Sequence, residues 1–244
     1  MLLYCTETAN VATPFFSDSA NIPLFVSIIT FIGTAIVGWI SIHNNNKIRT
    51  DTKKVIKRGE IVERKKKLEN KLDEFYIPLR HYLENSKTLF KIFSKGKPDK
   101  FRTLTYLLNK KQIYIDINKA VILDKNDNSI LEKIFEIGEK IEKLIYEKSY
   151  LIGNDIEFVN SYMPRSGYDD IIFEKDMSLL SLTVSHLVVI RMAYKGDLEG
   201  DVSKFEGFVF PNEINIRVKE KIAKLEGLIA DCEKEIAKLD GTQK

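Results

Sequence analysis

Residues 23–42, PLFVSIITFIGTAIVGWISI, run without a single charged side chain. Twenty residues rising 1.5 Å each cover about 30 Å, the thickness of a bilayer core, so the pattern predicts a transmembrane helix over 23–43. A buried core helix is the competing reading, and the length and flanks of the run argue against it. The run is not uniformly apolar. Ser27, Thr30, Thr34, Gly38 and Ser41 lie at offsets of 3, 7, 11 and 14, which at 3.6 residues per turn places all five in one stripe. In lipid, helices associate through close packing and interhelical hydrogen bonds, and small and hydroxyl residues permit both. The stripe therefore reads as an association face, and with enough copies as the lining of a narrow polar path. Alternatively it arose by chance, with each hydroxyl bonded to its own backbone.

The pattern changes at once beyond the span. His43 and three asparagines form a short polar exit, and from Lys47 a basic helix is expected through residue 72, with Ile48, Val55 and Val62 seven apart. Residues 47–72 carry eleven Lys/Arg against four acids, a net of +7, so the remainder of the chain carries −4 beneath a total of +3. Basic residues following a span mark its cytoplasmic side, which puts residues 1–22 outside and the bulk of the chain in the cytoplasm. Residues 1–22 contain no Lys or Arg, so they do not read as the basic region of a signal peptide. Trp39 stands where an interfacial aromatic belongs. Lys47, Arg49, Lys53, Lys54, Lys57 and Arg58 lie near enough to the leaflet to meet anionic lipid, at roughly 1 kcal/mol each. Nucleic acid is the other usual partner of a basic run, and the position of this one against a span favours lipid.

Residues 73–211 read as a helical domain. Pro78 should break or kink the helix it enters, after which Leu79, Tyr82, Leu83, Ser86, Leu89, Phe90 and Phe93 share a face. Asp99 is a suitable N-cap for the segment that follows the 94–100 turn. Asp124, Asn126 and Asn128 match the start of a calcium loop, but Ser129 replaces its glycine and Phe135 its bidentate glutamate, so calcium is rejected. Ser129 and Glu132 instead form a capping box, opening a helix with Ile130, Ile134, Ile137, Ile141, Leu144 and Ile145 inside. Residues 153–176 read as a long connection. The apolar run 177–194 approaches the length of a span, but it contains His186 and Arg191, and a central charge costs roughly 2.5–3.5 kcal/mol. It is expected to be a buried helix. Asn212 can cap a last helix over 212–244, where Val218, Ile222, Leu225, Ile229, Cys232, Ile236 and Leu239 step by four and three. That seam fits a parallel dimer, or it packs on the basic helix 47–72 of its own chain as an antiparallel hairpin. The fold class is thus mainly α: one N-terminal transmembrane helix, a cytoplasmic helical bundle and a C-terminal heptad-repeat helix.

Chemistry is sparse. Cys5 and Cys232 make no disulfide framework or paired metal ligands. No nucleophile, zinc or phosphate-loop signature occurs, so neither an enzyme nor a cofactor or metal is expected. His186, Arg191 and Tyr194 could line a ligand pocket, with Arg165, Asp169 and Asp170 as partners. The plainer alternative is a core histidine and a local ion pair.

Three short motifs stand out. They are Phe75-Tyr76-x-Pro78-Leu79 after the basic helix, Ser185-His186-Leu187-Val188-Val189-Ile190-Arg191-Met192-Ala193-Tyr194, and Val209-Phe210-Pro211-Asn212-Glu213 before the terminal repeat. Together they resemble a loose group of single-pass bacterial membrane proteins over most of residues 60–240. Some proteins of this layout resemble membrane effectors of anti-phage systems of the retron type. The resemblance implies a non-enzymatic effector in the inner membrane that forms homo-oligomers and responds to a cytoplasmic signal. A tethered scaffold or receptor for a cytoplasmic protein is the alternative.

Overall fold

A computed structural model of the chain describes residues 22–99, 101–108, 114–116, 119–152, 178–202, 205 and 208–241. The N-terminal tail before residue 22 (with Cys5), and the connection containing Arg165, Asp169 and Asp170, lie outside these. The chain divides into two units between Glu60 and Ile61.

In the first unit, α1 begins at Ile22 and continues as one helix to Lys71. It is long and apolar enough to cross a membrane, and none of its most apolar stretch is buried. Among the described residues it is the single helix with that property.

The second unit is a helical bundle. Its first turns are the end of α1, which passes through a π-helical turn at Leu72–Tyr76 into α2, Ile77–Ser94. Pro78 therefore does not break the helix. The ladder widens just before it, Ile77 N–H donating to the Leu72 carbonyl five residues back, and the proline takes a place in the first turn of α2. The expected face of α2 forms, except that Phe90 remains exposed.

Three other local expectations are corrected. α3 runs Thr103–Leu108, with Tyr106 N–H bonded to the Arg102 carbonyl, so it starts too late for Asp99 to cap it. α4 runs Lys125–Lys148, five residues earlier than the Ser129 capping box would allow. The Asp124 carboxylate takes the cap, accepting from Asp127 N–H at 2.7 Å, and Ser129 donates back to the Lys125 carbonyl inside the helix. Asp is as good a cap as Ser, and it comes first in the chain. Asn212 does occupy the N-cap position of α6, Glu213–Leu239, but makes no side-chain capping bond. Between α3 and α4 lies a small antiparallel hairpin, β1 at Tyr114–Asp116 and β2 at Lys119–Val121, pairing Tyr114 with Val121.

The run 177–194 is a buried helix, as its charges require. α5, Leu179–Lys195, is capped by Ser178 and closed by Gly196 at φ +80°, the left-handed conformation that glycine reaches without a Cβ penalty. Leu179, Leu182 and Thr183 are almost wholly buried. The Thr183 hydroxyl is satisfied by the Leu179 carbonyl at 2.8 Å. Two apolar clusters make the core. One joins the π turn and α2 to the last half of α4, the start of α5 and the face of α6. The other gathers Phe93, Phe101, α3, the first half of α4 and Phe208.

Candidate functional site

The stripe of the span is built by α1 alone. Ser27, Thr30, Thr34, Gly38 and Ser41 are all exposed. Ser27 Oγ donates to the Pro23 carbonyl at 2.8 Å, Thr30 Oγ1 to Val26 at 2.7 Å, and Thr34 Oγ1 to Thr30 at 2.7 Å. Back-bonding of this kind satisfies a hydroxyl donor within the helix, so the span can sit in lipid with no unpaired O–H at these positions. What the face still offers is oxygen lone pairs and close approach. Phe31 and Ala35 flank a shallow groove along Ser27, Thr30 and Thr34. A methyl group added at Gly38 would meet nothing within 4 Å. At the far end Trp39 stacks on His43, their ring centroids 5.8 Å apart. The six basic residues Lys47, Arg49, Lys53, Lys54, Lys57 and Arg58 follow, every one exposed.

His186, Arg191 and Tyr194 share α5 but are taken up by different neighbours. His186 is buried edge-on between Phe208 and Phe210, with centroids at 5.3 and 5.5 Å. Among the described residues its Nδ1 has no hydrogen-bond partner. Burial in this apolar setting pushes its pKa down to about 4, because the charged ring has nothing to replace its water. Arg191 is half-buried and reaches α4, where Nη1 donates to Glu142 at 2.6 Å with Glu139 at 3.8 Å. The Glu142 hydrogen bond raises the guanidinium pKa further above its ordinary value. The Tyr194 ring lies against Phe135 of α4 at 4.6 Å. Among the described residues, the arrangement is a core histidine beside an ion pair, with the three side chains turned to different neighbours.

The heptad seam of α6 is covered from within the chain. Val218, Ile222, Leu225 and Cys232 are buried, Ile229, Ile236 and Leu239 partly so, and the upper part packs on the π turn and α2. Charged pairs fix an antiparallel register. Lys65 meets Glu233 at 2.8 Å, Arg64 meets Glu235 at 3.4 Å, and Lys219 meets Glu84 at 3.4 Å. Arg64 Nε also donates to Cys232 Sγ at 3.4 Å, an interaction that nothing in the heptad pattern signals. α6 thus lies antiparallel to residues 64–84, and of the basic helix 47–72 it meets only the last part.

Sequence reading also missed Lys97. Its Nζ is almost buried, bonded to Asp127 at 2.7 Å and to the Phe93 carbonyl, and lies 4.0 Å from the centre of the Phe93 ring. It ties the turn after α2 to the first turn of α4. Among the described residues, no three His, Cys, Asp or Glu side chains gather as a metal site would need.

No protein-family model matches the chain, and no curated protein or solved structure is significantly similar to it. Any reading of function therefore rests on the residues themselves and on the short motifs at 75–79, 185–194 and 209–213.

Proposed function

We propose that this is a single-pass protein of the bacterial inner membrane, with its helical domain in the cytoplasm, that self-associates through the span and perturbs the membrane in response to a cytoplasmic signal. The observation that carries the reading is the exposed face Ser27, Thr30, Thr34, Gly38 and Ser41 on a helix of membrane-spanning length. The run of basic residues after the span supports the orientation and contact with anionic lipid. The motif resemblance supports a role in anti-phage defence as a non-enzymatic effector.

The test is membrane potential in bacterial cells after induced expression, read with a depolarisation-sensitive dye. The native chain should depolarise the cells. Thr34→Leu, which fills the face with a branched side chain, should keep expression and membrane insertion while abolishing both depolarisation and self-association. Unchanged depolarisation by Thr34→Leu counts decisively against the face. A second reading has one observation in its favour: the hydroxyls of Ser27, Thr30 and Thr34 are already bonded to their own helix. On that reading the span is an anchor, and the helical domain is a scaffold or receptor for a cytoplasmic protein. Replacing residues 23–42 with an unrelated span would then preserve activity.

A further inference from the structure

Three apolar positions of α1 beyond the span, spaced seven apart, face solvent among the described residues. Ile48 is 62% exposed, Val55 69% and Val62 42%, on a helix whose neighbouring residues are largely charged. These three are the visible part of a longer pattern. From Thr34 the positions Gly38, Ser41, Asn45, Ile48, Thr52, Val55, Gly59 and Val62 follow one another in alternating steps of four and three. The pattern is a heptad seam with Gly38, Asn45, Thr52 and Gly59 at a, and Thr34, Ser41, Ile48, Val55 and Val62 at d. It is in phase with the stripe of the span and crosses into the basic segment without a skip.

Charge keeps off this seam. Eight of the eighteen residues 45–62 are charged, and none of them occupies its six positions there. Lys47, Lys53, Lys54 and Lys57 fall at b, c or f, pointing away from a partner helix, so two copies of this strongly basic segment can meet without opposing their lysines. Of the charges that flank the seam, Arg49 at e and Asp51 at g stand opposite the uncharged Asn44 and Ile56 of a parallel copy, and Arg58 at g stands opposite Glu63 at e, an attractive pair. Gly59 adds an independent sign. Glycine inside an exposed helix costs about 1 kcal/mol relative to alanine, and a Cβ placed there would meet nothing within 4 Å. The chain's own packing gives no reason for it, whereas a closely approaching second backbone does. The seam also stops where it should. Its next two positions are Lys66 and Glu69, and Ile61, Leu68 and Leu72 turn instead to the domain's own core.

We propose that a second copy of this chain covers the seam, forming a parallel, in-register left-handed coiled coil that continues the span's contact through Val62. Parallel pairing follows because identical chains insert in the same direction, and a lone Asn45 at an a position fixes register. A hydrophobic repeat of seven on a 3.6-residue helix gives the left-handed twist. The bilayer surface is the competing cover for an amphipathic segment. α1 runs unbroken from the span through these residues, with no turn that would lay them flat. The inference borrows the parallel direction from the membrane-spanning reading and shares Thr34, Gly38 and Ser41 with it, but beyond Ser41 it stands on residues of its own.

Disulfide trapping in membranes tests it on the full chain, in a Cys5→Ser background with the buried Cys232 left in place. Single cysteines are introduced at Ser41, Ile48 and Val55 on the seam and at Lys54 and Lys57 off it, then oxidised with copper–phenanthroline. Because disulfides need close Cβ atoms, Ile48→Cys and Val55→Cys should link at least about fivefold more than Lys54→Cys and Lys57→Cys. Equal linking at all sites would indicate random collision and overturn the inference. Linking at Ser41→Cys alone would also overturn it, while leaving association of the spans intact. Linking at 48 and 55 without 41 would uphold the coiled coil and remove the face within the bilayer.

Discussion

Two heptad seams in this molecule have opposite fates. That of α6, Val218 to Leu239, lies against the chain's own helices, while that of α1, Thr34 to Val62, lies open. By spacing alone the two are equivalent, and the α6 seam is the more apolar of the pair. The difference teaches that a four–three repeat marks a face that needs covering without naming the cover. What decides is the neighbourhood. α6 is joined to a bundle whose π turn and α2 offer a complementary surface, and acids on α6 meet bases at 64 and 65. The seam of α1 has small residues where α6 has isoleucine, which suits close approach of an identical backbone.

The sharpest way to break the comparison is to truncate one residue in each seam. Ile222→Ala should cost the domain about 3 kcal/mol, since it opens a cavity in a packed core. Val55→Ala should leave thermal stability of the domain within about 0.5 kcal/mol of the native chain, while weakening association. Equal losses in thermal denaturation would mean the two faces are covered alike.

His186 sharpens the contrast next, because only the covered side has a titratable group held out of water. Its folded pKa near 4 lies below the ordinary 6.5, so the unfolded chain binds the extra proton. Stability is complete above pH 6.5 and falls as pH drops towards 4, by up to about 3 kcal/mol. Denaturant unfolding followed across that window should show the fall in the native chain, and a flatter profile in His186→Leu. A native profile with no such slope would place the imidazole in contact with water.

The smallest effect belongs to the charges at the edge of the α6 seam. Arg64 and Glu235 are both about half exposed, so Arg64→Ala should leave the thermal midpoint almost where it is, and added salt should erase most of what difference there is. A larger loss would locate the contribution in the Arg64–Cys232 contact.

Much of the fold was legible in the pattern. The span, the inner face of α4, the burial of 177–194 and the extent of α6 all follow from long periodic runs, where many positions agree. The errors concern single residues. Asp124 displaced Ser129 as a cap because two capping residues stood five apart and the earlier one won. The hairpin at 114–121 has strands of three residues, too short for an alternating pattern to register. Helical phase says that His186 and Tyr194 share a side and nothing about the partners waiting there, and Arg165, Asp169 and Asp170 lie outside the described residues. Glu142 and Phe135 were already visible as residues of α4, but only the packing of α4 on α5 gave them their roles.

The π turn at Leu72–Tyr76 has a consequence for what this chain can lose. A π turn is an α-helix that has absorbed one surplus residue, so it acts as a phase shift of about 100° between the faces on either side. Leu79 and Leu83 point into the core only because that shift precedes them. Removing any one residue from 72–76 would leave an ordinary helix of nearly the same composition, yet would rotate all of α2 out of alignment and return Pro78 to a ladder that needs its missing N–H. In this short segment the count of residues matters alongside the identities of the buried Leu72, Phe75 and Tyr76.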